Sequence, residues 1–152
     1  MSESEIFVWS KKTDVNLTRI ETHRGDLDNL YQTFAKEALP DDVKAGSLVD
    51  KKRRYEAIVV AEKNQRAVGA LLMNRWGKDH WELAASAVKP EARREGTWRK
   101  LIVAAENYAV SHGAKTIEAT PGGPFRKKLS QALQDKGYLP VGGDDSVLRK
   151  II

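Results

Sequence analysis

Chemistry in this chain has to come from a narrow set of residues. There is no cysteine, which excludes thiolate nucleophiles, disulfides, zinc fingers and iron–sulfur ligation. The three histidines, His23, His80 and His112, are scattered without HExxH or other close metal spacing, so no metal is expected. The informative segment is Val88-Lys89-Pro90-Glu91-Ala92-Arg93-Arg94-Glu95-Gly96-Thr97-Trp98. It joins an expected strand to the start of the most regular helix in the chain. Such a junction presents unpaired backbone N–H groups and the positive end of a helix dipole, where a phosphate docks. Gly96 lets backbone and ligand approach, and Arg93 and Arg94 add charge. From spacing alone, a plain strand–helix connection with two exposed arginines reads the same residues equally well.

The elements that would position this segment follow from periodicity. Ile6–Trp9 is a short edge-strand candidate. Val15–Glu21 is a second, with Val15, Leu17 and Arg19 alternating with Asn16 and Thr18. Leu27, Leu30, Tyr31, Phe34, Ala35 and Ala38 form one helical face, started by Thr22 or Asp26 and closed by Pro40. Val43, Leu48 and Val49 suggest a short helix running into Lys51-Lys52-Arg53-Arg54. Tyr55–Glu62, Ala67–Arg75 and Trp81–Val88 read as three antiparallel strands with turns at Lys63–Arg66 and Gly77–Asp79. In the third, Trp81, Leu83, Ala85 and Ala87 share one face, and Glu82, Ala84, Ser86 and Val88 the other.

A helix from near Thr97 places Trp98, Leu101, Ile102, Ala105, Tyr108 and Ala109 on one face, with Gly113 as its cap. Lys115–Thr120 is a strand and Pro121–Pro124 a loop. The last helix, opened by Pro124, carries Phe125, Leu129, Ala132 and Leu133, and Gly137 caps it. Tyr138–Val141 and Ser146–Ile152 finish as strands around a turn at Gly142–Asp145. The expected class is a mixed α/β (α+β) layer structure around a central sheet. Residues 81–120 are long enough for a right-handed parallel crossover.

Length and composition set outer limits. The 152 residues fit one domain, and 41% hydrophobic with 31% charged residues excludes a disordered chain and a membrane protein. No apolar run approaches the ~18–20 residues of a membrane helix. MSESEIFVWS lacks the pattern of a secretory signal, and a cysteine-free chain fits a cytoplasmic protein. The net charge of +5 favours acidic partners such as nucleotides, phosphorylated cofactors or nucleic acid, and is modest for a dedicated DNA binder.

Val88, Pro90, Arg93 and Gly96 resemble the Val-x-Pro-x-x-Arg-Gly-x-Gly-x-Gly/Ala signature of the GNAT superfamily of N-acetyltransferases. WRKLIVAAENYAVSHG, AKTIEA and Lys136-Gly137-Tyr138 continue the likeness. NLTRIETHRGDLDNLYQTF looks like the family's first strand and helix. The resemblance covers about residues 15–152, within a single domain 1–152 whose first 14 residues form an N-terminal extension.

It implies a mostly antiparallel sheet of about six or seven strands with about four helices. It also implies acetyl-coenzyme A as co-substrate and direct transfer of its acetyl group to an amine acceptor. By position, Arg93, Arg94, Glu95, Gly96, Thr97 and Trp98 would cradle the pyrophosphate, and the backbones of Ser86 and Val88 would line the pantetheine and acetyl group. Glu82 would be the base, since an ammonium must lose a proton before it attacks a thioester.

The likeness has departures. Arg94 replaces a glycine, and Trp98 replaces a small residue, so its indole would either pack in the core or cover the pyrophosphate site. Leu133 stands where many members carry a tyrosine that protonates the departing thiolate. These departures motivate a second reading, a non-catalytic structural or interaction module. Lys51–Arg54, Trp76 and Trp81 motivate a third, a nucleic-acid-directed protein; the Phe125-Arg126-Lys127-Lys128 helix start is read first as solvated. The oligomeric state is left open, a homodimer included, and no membrane partner is expected.

Overall fold

The computed structural model describes residues 4–37, 47–121, 126–142 and 147–152. Seven strands form one sheet in the order β1-β2-β3-β4-β5-β7-β6. The strands are β1 Glu5–Ser10, β2 Ala57–Lys63, β3 Arg66–Arg75, β4 His80–Val88, β5 Thr116–Ala119, β6 Leu139–Pro140 and β7 Leu148–Ile151. All neighbouring pairs are antiparallel except β4 and β5. The described helices are α1 Leu17–Thr22, α2 Arg24–Glu37, α3 Thr97–Ser111 and α4 Arg126–Asp135, with short 3-10 segments at Lys52–Arg54 and Pro90–Glu95. The expected mixed, mostly antiparallel sheet with about four helices is therefore the architecture found.

Two cores flank the sheet. On one face α1 and α2 bury Ile20, Leu27 and Tyr31 against Ile58, Val60 and Leu72. On the other, α3 packs Leu101, Ile102 and Ala105 on Val59, Met73, Trp81 and Ile117. The β4-to-β5 crossover runs through α3, the route a parallel pair requires.

Residues 15–21 form no strand. Leu17 and Ile20 continue the spacing of Leu27, Leu30 and Tyr31, and Ile20 is fully buried in the same core. Asn16 takes a left-handed conformation, φ 68°, and its side chain donates to the Val8 carbonyl at 2.8 Å. Helical periodicity thus overrides the short alternation. The first sheet strand is β1, which lies within the first 14 residues and pairs along its length with β2. Val49 and Leu48 are buried beside a turn and the 3-10 segment rather than a longer helix. Pro40, Val43, Pro124, Phe125 and the residues 143–145 of the last turn lie outside the described residues, as do the side chains of Phe34 and Ala35.

Candidate functional site

The site is built where β5 leaves β4. Their parallel register runs from His80↔Thr116 to Leu83↔Ala119 and stops, while β4 continues through Ala84–Val88. Five residues of β4 are therefore bordered by β3 alone. The Lys89 N–H donates to the Val68 carbonyl at 2.8 Å. Antiparallel strands alternate the direction of their polar groups, so those of Val88 and Ser86 point away from β3, into the gap. The Val88 carbonyl accepts from Arg93 Nε at 2.9 Å, which leaves the Val88 N–H and both groups of Ser86 facing the opening.

A β-bulge falls at the same place. Leu72 pairs with Ala85 and Met73 with Leu83, so Ala84 is an extra residue on β4. A bulge reverses the facing of all that follows. Trp81, Leu83 and Val88 accordingly pack in the α3-side core, and Ala84, Ala85 and Ala87 in the α2-side core. The expectation that Glu82, Ala84, Ser86 and Val88 share one face is corrected. Glu82 lies on the α1/α2 face, and Ser86 and Val88 turn toward α3. The bulge lets one strand present a carboxylate on one side of the gap and these two residues on the other.

Beyond Val88 the chain enters the 3-10 segment Pro90–Glu95 and then α3. Gly96 stands at the junction with φ 74°, a conformation that favours glycine. No atom outside its chain neighbours lies within 4 Å of the place a Cβ would take, so the space above it is open. No side chain caps α3, and its first-turn N–H groups lack intrahelical partners. Thr97 is fully buried and its hydroxyl donates back to the Ala92 carbonyl at 2.9 Å, which ties the start of α3 to the 3-10 segment. Trp98 is half-buried and packs against the α3-side core. Arg94 belongs to the 3-10 turn, and its side chain lies outside the description. Glu95 turns its carboxylate to Lys63, with contacts of 2.6 and 2.8 Å.

The loop is anchored at its other end by Asp26. This buried carboxylate accepts from Arg66 at 2.6 and 2.9 Å, from the Ala67 N–H at 3.1 Å and from Lys89 Nζ at 2.9 Å. The Arg66 guanidinium, before the Lys89 ammonium and the Ala67 amide, holds its carboxyl well below the usual range. A cavity of about 100 Å³ lies between α2 and the loop, walled by Asn29, Thr33, Val88, Pro90 and Arg93.

On the α1/α2 face, Glu82 Oε1 accepts from Asn74 Nδ2 at 3.2 Å and from Trp76 Nε1 at 3.1 Å. Its register partner is Glu118. That second carboxylate is occupied: Arg149 Nε donates to it at 2.9 Å, His80 Nε2 lies 3.4 Å away, and the Arg149 guanidinium draws its carboxyl below the usual range. Glu82 has no charged partner among the described residues, and its Oε2 makes no hydrogen bond there.

Sequence reasoning missed Asn74, Lys63, Asp26 as an anchor, and the Glu118–Arg149 pair. Asp26 carried only a helix-start signal and Lys63 only a turn signal, because their partners lie far away along the chain. Leu133 is buried in the core, and Tyr138 is also fully buried, donating its hydroxyl to Glu106 at 3.1 Å; burial pushes that phenol far up. Tyr108 stacks on His112 near the C-terminal end of α3, centroids 4.1 Å apart. Trp81 is a core residue with Tyr108 edge-on at 5.9 Å, whereas Trp76 is 60% exposed. In the Lys51–Arg54 run, Lys52 and Arg53 lie over the Trp9 ring and pair with Glu21 and Asp14.

The family model described as "Acetyltransferase (GNAT) family" matches residues 24–124. The chain belongs to this family. Solved structures agree on the fold. Ard1 from Thermoplasma volcanium superposes with a TM-score of 0.71 at 16% identity, covering 99% of each chain. A GNAT family acetyltransferase from Elizabethkingia anophelis, solved with acetyl-CoA bound, gives 0.67 at 12% identity over 100% of both chains. An aminoglycoside 6'-N-acetyltransferase complexed with coenzyme A gives 0.68 at 17%, covering 97% of this chain and 96% of its own. No curated protein sequence matches the chain. Among the described residues, no helix is long and apolar enough to cross a membrane.

Proposed function

We propose that the protein is a cytoplasmic acetyl-coenzyme A-dependent N-acetyltransferase that acts by direct transfer to an amine. The observation that carries this reading is the parting of β4 from β5 after Leu83, between the Glu82 carboxylate and the uncapped start of α3. The residues fit the co-substrate. Amides from Gly96 onward and the Arg93 guanidinium would hold the pyrophosphate, and the open space over Gly96 admits it. The outward polar groups of Ser86 and Val88 would bond the pantetheine amides as a further strand would.

Bound there, the thioester supplies an activated acetyl group. Glu82 takes the proton from the incoming ammonium, either directly or through one water, and Asn74 and Trp76 hold its carboxylate in place while leaving Oε2 accessible to a donor. No covalent acyl-cysteine step is available to a cysteine-free chain. No tyrosine occupies α4, so the departing thiolate leaves without a phenolic acid.

The second reading, a non-catalytic module of the same fold, rests on that missing hydroxyl. The two are separated by following thiol release from acetyl-coenzyme A with a panel of primary amines. Transfer that falls about 100-fold in Glu82→Gln supports the enzyme. Bound co-substrate with no release for any amine supports the module.

A further inference from the structure

The loop that would receive the pyrophosphate is electrically neutral by itself. Its 3-10 segment, Pro90–Glu95, carries two arginines and two glutamates. Lys89, just before it, is engaged by buried Asp26 at 2.9 Å. Glu95 is the sharper problem, since it immediately precedes Gly96, where the ligand backbone contact would form. An uncompensated carboxylate there repels a dianionic pyrophosphate and opposes the helix dipole meant to attract it.

The tip of the β2–β3 hairpin resolves this. Asn64 and Gln65 form its two-residue turn with φ 52° and 64°, and Lys63 and Arg66 face each other across it. From that pair Arg66 reaches Asp26 on α2, and Lys63 reaches both oxygens of Glu95, at 2.6 and 2.8 Å. The Lys63 side chain is 24% exposed and that of Glu95 37%, so water only partly screens the contact.

We infer that Lys63 is a positioning residue for co-substrate binding: it neutralises Glu95 and draws that carboxylate away from the anion site at Gly96. The inference rests on the acetyltransferase reading, and it assigns a role to a hairpin residue remote in sequence from the loop. Lys63 does not touch the reacting atoms; it acts through Glu95.

The test is a double-mutant cycle read by calorimetric titration of the full-length protein with coenzyme A. Lys63→Gln should weaken binding about fivefold to tenfold at low salt, and the difference should shrink as salt is raised. Glu95→Gln, which removes the carboxylate and leaves Lys63 uncompensated, should bind more tightly than wild type at low salt. The double variant Lys63→Gln/Glu95→Gln should recover wild-type affinity, and Lys63→Arg should retain it. The loss should persist with 3′-dephospho-coenzyme A, because the charge acts at the pyrophosphate. A purely structural clamp gives a different pattern: both single variants weaken binding and the double variant does not recover. That pattern, or an unchanged Lys63→Gln, overturns the inference while leaving the acetyltransferase reading standing. No binding of coenzyme A to the wild-type protein overturns both.

Discussion

At the scale of single residues, the account turns on how differently two adjacent carboxylates are furnished. Glu82 and Glu118 are register partners on parallel strands. Glu118 is committed to Arg149 and His80, whereas Glu82 is held on one oxygen by neutral donors. Of the two, Glu82 is the one that, in the proposed reading, would take a proton from the amine substrate. Asn74→Ala should therefore lower kcat about tenfold by loosening that carboxylate, with little change in co-substrate affinity; steady-state kinetics separates the two. Asp26 gives a second residue-level prediction. Its carboxyl is depressed in the folded state by Arg66, Lys89 and the Ala67 amide. A depressed carboxyl stabilises the fold above its ordinary value near pH ~4 and loses that contribution as pH falls toward the folded value. Asp26→Asn should cost about 1–3 kcal/mol at pH 7. Its melting temperature should also decline less steeply than that of the wild type between pH 5 and pH 3. The decline remains in part, because Glu62 and Glu118 are depressed too.

At the scale of elements, the bulge in β4 decides what the strand can present. It was not legible, because Ala84, Ala85, Ser86 and Ala87 are all small and carry no alternation that a looped-out residue would break, and only the register against Leu72 and Met73 reveals it. The strand-to-helix loop was legible, since Val88, Pro90, Arg93 and Gly96 lie within one short segment whose geometry is set locally. The Asp26, Lys63 and Glu118 contacts were not, because each joins residues far apart along the chain. The α1 segment shows the same competition: Leu17 and Ile20 extend the helical face of α2, and two cycles of apparent alternation hid that. The close fit of β3, β4 and α3 supplies a prediction here. A Cβ on Gly69 would stand 3.3 Å from the Ala87 carbonyl, Leu101 Cδ1 and Val88 Cγ2. Gly69→Val should destabilise the protein by about 1–3 kcal/mol. It should also weaken coenzyme A binding by displacing the end of β4, which thermal melts and titration check together.

At the scale of the molecule, the sheet divides the labour. In the proposed reading the α3 side and the loop would form the co-substrate wall, the α1/α2 side carries Glu82, and the gap between β4 and β5 would join them. The basic run Lys51–Arg54 contributes less to outside partners than its composition suggests, because Lys52 and Arg53 are engaged with Glu21, Asp14 and the Trp9 ring. The central claim is that the parted strands and the Gly96 junction hold acetyl-coenzyme A. The most direct measurement is calorimetric titration of the wild-type protein and Gly96→Trp with acetyl-coenzyme A, with a melting curve for each. The account predicts saturable binding to one site per chain in the wild type, and its loss in a variant that still melts cooperatively. Binding that survives Gly96→Trp, or a wild-type protein that shows none, would contradict it.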